Sequence, residues 1–186
     1  MTDFETVNIF LRNNQHVTIR PAFSSEANEV ADFFKTVTEE TEFLSKQADE
    51  ASSPGEIWRF LRVLERSKNS LFIVAKSNGK VIGMGQVVFR NKKKSRHRAT
   101  VSVAIKKEFW GMGLGTALMQ GMTAFSEKNG AKQLELTVMS ENKRAISLYE
   151  RQGFIAVGRM PNAYLMKDGS FFAMRFRWSK FFEVGF

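Results

Sequence analysis

The sequence predicts a mixed α/β fold in which a mostly antiparallel central sheet is flanked by helices on both faces. Three observations carry this expectation. Apolar runs follow one another closely between residues 71 and 105, with turn signals between them. Two helical patterns precede that meander. After it, strand-like and helix-like segments alternate. At 186 residues, with 43 % hydrophobic and 25 % charged side chains, the chain can bury one core, and a single domain over 1–186 is expected.

In order, Val7–Leu11 and Val17–Arg20 read as short strands around Asn13-Asn14, a pair that tolerates turn geometry. Ser24 or Ser25 then caps a helix whose Val30, Phe33, Phe34 and Val37 form one apolar face. The stretch Thr38-Glu-Glu-Thr-Glu-Phe-Leu is expected to end it. A second helix opens with Ser53 as cap, Pro54 at its first position and Glu56 closing a capping box, and it buries Ile57, Phe60, Leu61 and Leu64. Leu71–Lys76 and Val81–Phe89 form a hairpin across Asn78-Gly79, which favours a tight primed turn. Gly83 and Gly85 mark a bulge or a close approach in its second strand.

A basic tip follows, with Arg90, Lys92, Lys93, Lys94, Arg96 and Arg98 around His97, and is read as a solvated hairpin end. Ala99–Ile105 is the next strand. Leu114, Ala117, Leu118, Met122 and Phe125 repeat at helical spacing until Asn129-Gly130. Leu134–Val138 is a strand. Asn142 opens a helix with Ala145, Leu148 and Tyr149 on one face, closing at Gly153. Phe154–Val157 and Ser170–Trp178 are the last strands, and the apolar tail from Phe181 is expected to pack on the body or on a second copy, as in a homodimer.

Composition narrows the chemistry. Zero cysteines exclude disulfides, cysteine-ligated metal and a thiol nucleophile; no metal is expected, and a reducing cytoplasm suits the chain. The opening Met-Thr-Asp-Phe-Glu-Thr has no signal-peptide pattern, and no apolar run approaches a membrane span. The net charge of +9 favours polyanions or a phosphate-bearing ligand. The basic tip has room for an adenosine 3′-phosphate, an acidic peptide or RNA, but no aromatics interleave there, which argues against a stacking nucleic-acid surface.

The motif of interest is Val101–Ala117, a strand that passes through Gly111, Gly113 and Gly115 into a helix. Such a junction leaves backbone N–H groups unpaired at the positive end of a helix dipole and suits phosphate. A short glycine run taken alone reads first as a flexible connection, and the rest of the chain has to decide. A Walker-type loop requires Gly-Lys-Ser/Thr, and the sequence reads Gly113-Leu-Gly-Thr without lysine. The dinucleotide pattern Gly-x-Gly-x-x-Gly places Thr116 or Leu118 where its third glycine belongs. Glu135, twenty residues beyond Gly115, falls inside a strand instead of at a ribose site.

Trp110-Gly-Met-Gly-Leu-Gly-Thr-Ala-Leu, preceded by Val103-Ala-Ile, resembles the acyl-CoA pyrophosphate loop of the GNAT superfamily of N-acetyltransferases, with Trp110 where Gln or Arg is usual. Asn142-x-x-Ala145-x-x-Leu148-Tyr149-x-x-x-Gly153-Phe154 is similar to that family's second signature. The resemblance runs from about Val17 to Trp178. It implies the GNAT fold and direct transfer of acetyl from acetyl-CoA to an amine, either a small amine or a protein N-terminus. It further implies that Gly111, Met112, Gly113, Leu114, Gly115 and Thr116 hold the pyrophosphate and that Val103 N–H polarises the thioester. Ile105 and Ala145 would flank the donor, Asn142 would contact CoA, and Tyr149 would be the general acid.

Glu42 and His97 are the candidates for the acceptor side, with Glu39 and Glu40 as neighbours and water as another proton acceptor. The last strand pair carries phenylalanine and alanine where related enzymes often have an acid, which argues against a polyamine acceptor. Two other classes remain compatible with the sequence: a non-catalytic acyl-CoA sensor, and a basic RNA- or ribosome-associated protein that kept the fold.

Overall fold

The computed structural model describes residues 4–44, 50–166 and 168–182. Its elements are β1 (Val7–Phe10), β2 (His16–Pro21), α1 (Ala27–Glu40), α2 (Pro54–Glu65), β3 (Ser70–Ser77), β4 (Lys80–Phe89), β5 (Arg98–Ile105), α3 (Leu114–Lys128), β6 (Gln133–Met139), α4 (Lys143–Arg151), β7 (Ile155–Leu165) and β8 (Phe171–Phe181). Among the described residues the strands form one eight-stranded sheet in the order β1-β2-β3-β4-β5-β6-β8-β7. Every neighbouring pair is antiparallel except β5 and β6.

Both faces are covered. Leu71 and Ile73 face α3 and α4 with Leu118, Met122 and Tyr149, while Phe72 and Val74 face α1 and α2 with Phe33, Val37 and Leu61. This period of two explains why β3 reads as an unbroken apolar run. Gly83 and Gly85 let α3 lie close: a Cβ at Gly85 would stand 2.8 Å from Met122 Sδ, and one at Gly83 3.1 Å from Leu114 Cδ2. The hairpin turn holds Asn78 and Gly79 at φ 48° and 78°, as its type requires. Among the described residues, no helix is long and apolar enough to cross a membrane.

Several expectations change. Neither Ser24 nor Ser25 caps α1. A 3₁₀ turn over Ser24–Glu26 leads into it with Glu26 as N-cap, because the Glu26 carboxylate accepts from Phe23 N at 3.0 Å and the Glu65 carboxylate accepts from Ser24 N at 2.5 Å. The predicted capping box on α2 is present, with Ser53 Oγ accepting from Glu56 N. Strand β7 runs on past Val157 to Leu165, since an irregularity between Met160 and Tyr164 absorbs Pro161 and the left-handed Asn162. Of the apolar tail, Phe181 ends β8 and is 59 % exposed, while Phe182 packs on the core; 183–186 lie outside the described residues.

Arg90 and Arg98 are not part of a solvated tip. Both turn back to the buried carboxylate of Glu135: Arg90 Nη2 donates at 2.9 Å, and Arg98 makes a shorter contact. A buried carboxylate costs several kcal/mol unless paired, so Glu135 draws in the nearest cations. Lys92, Lys93, Lys94 and Arg96 make no ion pair among the described residues. Seven residues separate Arg98 from Ile105 along β5, about 24 Å at ~3.4 Å each. The tip is therefore far from the glycine turn, and a phosphate of a ligand held there is out of its reach.

A second ionic knot ties β2, β3 and α1. Arg20 and Lys76 meet Glu26 at 2.6 and 3.0 Å, and Lys76 reaches Glu29 at 2.6 Å. Burial alone would raise the Glu26 pKa. The hydrogen bonds from Arg20, from Phe23 N and from Lys76 outweigh it and bring it down to about 2. A depressed carboxylate stabilises the fold above its unfolded pKa, and that contribution is lost as pH falls. We expect the melting temperature to drop between pH ~4.5 and ~2, and Glu26→Gln to flatten that part of the profile in a thermal scan.

Candidate active site

The parallel contact between β5 and β6 has three pairs: Arg98↔Gln133, Ala99↔Leu134 and Thr100↔Glu135. Beyond them β5 runs to Ile105 and β6 to Met139 with no further register between them. The sheet thus forks just past the Glu135 knot, and a cleft of about 890 Å³ occupies the fork.

The phase of the β4–β5 ladder decides what the cleft wall offers. Arg90 N donates to Arg98 O and Lys106 N to Ile82 O, both at 3.0 Å. Bonded pairs alternate in an antiparallel ladder. Ser102 and Ala104 therefore spend their amides on β4, whereas Val103 and Ile105 turn theirs toward the fork. An independent contact confirms the phase: Ile105 O accepts from the Trp110 indole at 2.8 Å.

Past Ile105, a 3₁₀ turn over Lys107–Phe109 leads to the glycines, with Lys107 N held by the Glu40 carboxylate at 2.7 Å. Gly111 and Gly113 have φ of 77° and 96°, left-handed backbone that favours glycine. Gly111, Gly113, Gly115 and Thr116 line the cleft. Met112 and Leu114 do not: the first is half-buried and packs against the core, and the second is fully buried. Ala117 N bonds to Gly113 O at 3.1 Å. The amides of Leu114, Gly115 and Thr116 thus have no carbonyl one turn earlier in α3 to accept them.

This end of the cleft is cationic. Arg12, Lys143, Arg144 and Arg151 line it, and Glu141 is its one carboxylate among the described residues. Arg144 lies over the Trp110 ring at 4.4 Å. Trp110 replaces the usual Gln or Arg, and its ring carries a guanidinium from α4 to the same loop. Arg12 also binds Gly111 O at 3.2 Å, so the β1–β2 turn braces the glycines.

Asn142 is the N-cap of α4, its side-chain oxygen accepting from Ala145 N at 3.1 Å. Ala145 lines the cleft one turn on. Tyr149 is 8 % exposed in the same wall, its ring 6.1 Å from Phe154. Burial pushes its hydroxyl up to about 12. Among the described residues no hydrogen bond acts on that hydroxyl, and burial is the only influence on its pKa.

Neither acceptor-side candidate reaches the cleft. Glu42 is exposed on the turn after α1, and His97 is exposed just before β5, where its carbonyl binds Lys132 N at 2.7 Å. The wall opposite the glycines is built instead from Thr41, Phe43, Leu44 and Tyr164. Sequence reasoning missed these, Arg12 and Thr137, since each belongs to a segment with no local motif.

The model of the Acetyltransferase (GNAT) family matches residues 31–154. An uncharacterized N-acetyltransferase of Methanocaldococcus jannaschii is 32 % identical over 100 residues, covering 52 % of this chain and 44 % of that protein. The chain thus spans less than half the length of that curated relative. An acetyltransferase of the GNAT family from Streptococcus pneumoniae superposes with a TM-score of 0.84 at 28 % identity, over 89 % of this chain and 99 % of that one. An acetyltransferase from Salmonella typhimurium, solved with its cofactor acetyl-CoA, shares the fold at a TM-score of 0.79 and 19 % identity, over 91 % of this chain and 95 % of that one.

Proposed function

The chain belongs to the GNAT acetyltransferase family, and on that premise we propose that it is an acetyl-CoA-dependent N-acetyltransferase acting on a primary amine through a ternary complex. One domain over 1–186 carries the reaction, with the cytoplasm as its place of work. The observation that supports this best is the fork: the Val103 amide, released from the sheet, opens onto the cleft that the unpaired amides at the start of α3 border.

In this reading the amides from Gly111 to Thr116, with Arg144 held by Trp110, take the CoA pyrophosphate. Met112 and Leu114 contribute backbone only, their side chains fixing the loop to the core. Ile105 and Ala145 flank the donor arm, and the Asn142 amide nitrogen remains for CoA while its oxygen caps α4. The amine nitrogen bonds to the thioester carbon, and the developing oxyanion receives the Val103 N–H. The C–S bond breaks, Tyr149 O–H protonates the departing sulfur, the amine gives its proton to water, and water returns a proton to the Tyr149 oxygen.

Thiol release measured across a panel of primary amines tests the reading. The expected result is one CoA thiol per acetylated amine. Release without acetylated product, or no release with any amine, would count against it. Trp110→Ala removes both the indole bond to Ile105 and the platform for Arg144. It should raise KM for acetyl-CoA about tenfold, the equivalent of ~1.4 kcal/mol, and leave kcat within about threefold. Steady-state kinetics against acetyl-CoA concentration checks both.

A further inference from the structure

The acceptor end of the cleft has a chemistry of its own. Phe43, just past α1, stacks on Phe172 of β8 with centroids 6.4 Å apart and planes at 29°. Phe172 pairs across the hairpin with Tyr164, and Met174 with Met160. Directly opposed residues share a face of the sheet, and so do positions two apart on one strand, so these four side chains form one ribbon, of which Tyr164, together with Phe43, lines the cleft itself. The Tyr164 hydroxyl rests on Met174 Sδ at 3.4 Å. Leu44 lies beside Phe43 in the same wall. Aromatic and thioether groups adapt to apolar side chains of varied shape.

Two electrostatic facts narrow the acceptor further. The wall of Thr41, Phe43, Leu44 and Tyr164 carries no carboxylate, and the cleft's one carboxylate among the described residues, Glu141, is exposed beside the Asn142 cap at the donor end. A second positive charge on the acceptor therefore meets no counter-charge on that wall. No histidine lines the cleft among the described residues, so the amine gains from arriving unprotonated. At pH 7 an α-amine of pKa ~7.7–8.0 is about 10–17 % neutral, and a lysine of pKa ~10.4 about 0.04 %. That several-hundred-fold difference favours a chain terminus over a lysine side chain.

Resting on the N-acetyltransferase reading, we infer that the acceptor is the α-amine of a peptide or protein whose first side chain is apolar, seated on the Phe43–Phe172 wall. The first side chain lies on the aromatic and methionine surface, and the α-amine points to the Val103 end of the fork.

The test uses peptides with one common tail beginning with Met, Phe, Ser or Lys, together with spermidine and an α-acetylated peptide that offers a lysine. Thiol release gives kcat/KM, mass spectrometry gives the acetylated position, and calorimetry gives acetyl-CoA binding. Met- and Phe-first peptides should exceed Lys-first, blocked-lysine and spermidine acceptors at least tenfold. Phe43→Ala should cost the Met- and Phe-first peptides at least tenfold and the Ser-first peptide less than threefold, with KM for acetyl-CoA unchanged. Phe43→Leu should restore most of the loss, which separates lost contact from lost fold. Preference for spermidine or lysine, or an equal loss across all peptides, overturns the inference. Should acetyl-CoA bind and no peptide be acetylated, this inference alone fails. Absence of acetyl-CoA binding removes the donor reading beneath it.

Discussion

Replacing Tyr149 by phenylalanine is expected to lower kcat about 10²–10³-fold, or ~2.7–4 kcal/mol of barrier, with KM for acetyl-CoA little changed. The side chain is already packed among apolar neighbours in the α4 wall, so Tyr149→Phe removes one oxygen and no contact that holds the helix. Among the described residues no hydrogen bond acts on that hydroxyl, so its loss strands no partner there. Burial pushes its pKa up to about 12, which keeps the proton on oxygen throughout the neutral range. The sign follows. A group whose pKa is raised loses its proton later, so the alkaline fall in rate due to this acid should begin near pH 12 instead of 10. Full turnover by Tyr149→Phe at pH 7, in a pH–rate profile parallel to that of the parent, would remove the residue from the chemistry.

The second large effect concerns the glycine turn. Gly113→Val is expected to weaken acetyl-CoA binding at least 100-fold, about 2.7 kcal/mol. Two causes combine. The residue holds φ at 96°, where a side chain strains the backbone by ~1–2 kcal/mol. A Cβ built there meets nothing within 4 Å, because that space belongs to the cleft the phosphate would fill. Gly79→Val supplies the control. It has φ of 78° and equally open surroundings, but it sits in the β3–β4 turn. It should lower the melting temperature comparably and leave acetyl-CoA affinity within about twofold. Equal weakening by both substitutions would assign the effect to strain alone.

Local chemistry is what the sequence displays well. Ser53-Pro54-Gly-Glu56 declares the start of α2, Asn78-Gly79 the primed turn, and Gly111 to Gly115 the passage from strand into α3, because each is decided within a few residues. The features that make the site are not local. The fork exists because two strands pair for three residues and then part, and nothing in Ala99–Ile105 or Leu134–Val138 marks where they separate. Glu135 draws in Arg90 and Arg98 from 45 and 37 residues away, so a run of basic residues that reads as one solvated tip is divided in two by a distant carboxylate. The sequence pattern ends this strand at Val157, yet an irregularity around Pro161 and Asn162 lets β7 carry Tyr164 to the acceptor wall. Glu42 and His97 suit the acceptor side by charge and sequence neighbourhood, but the α1 turn and the β5 start leave both outside the cleft.

Titration calorimetry of the intact chain with acetyl-CoA reads donor binding at the glycine turn. One molecule should bind per chain, with affinity in the micromolar range typical of enzyme substrates, weakened at least 100-fold by Gly113→Val and unaffected by Tyr149→Phe. No heat of binding at millimolar acetyl-CoA, or binding that survives Gly113→Val intact, would contradict donor binding at that turn.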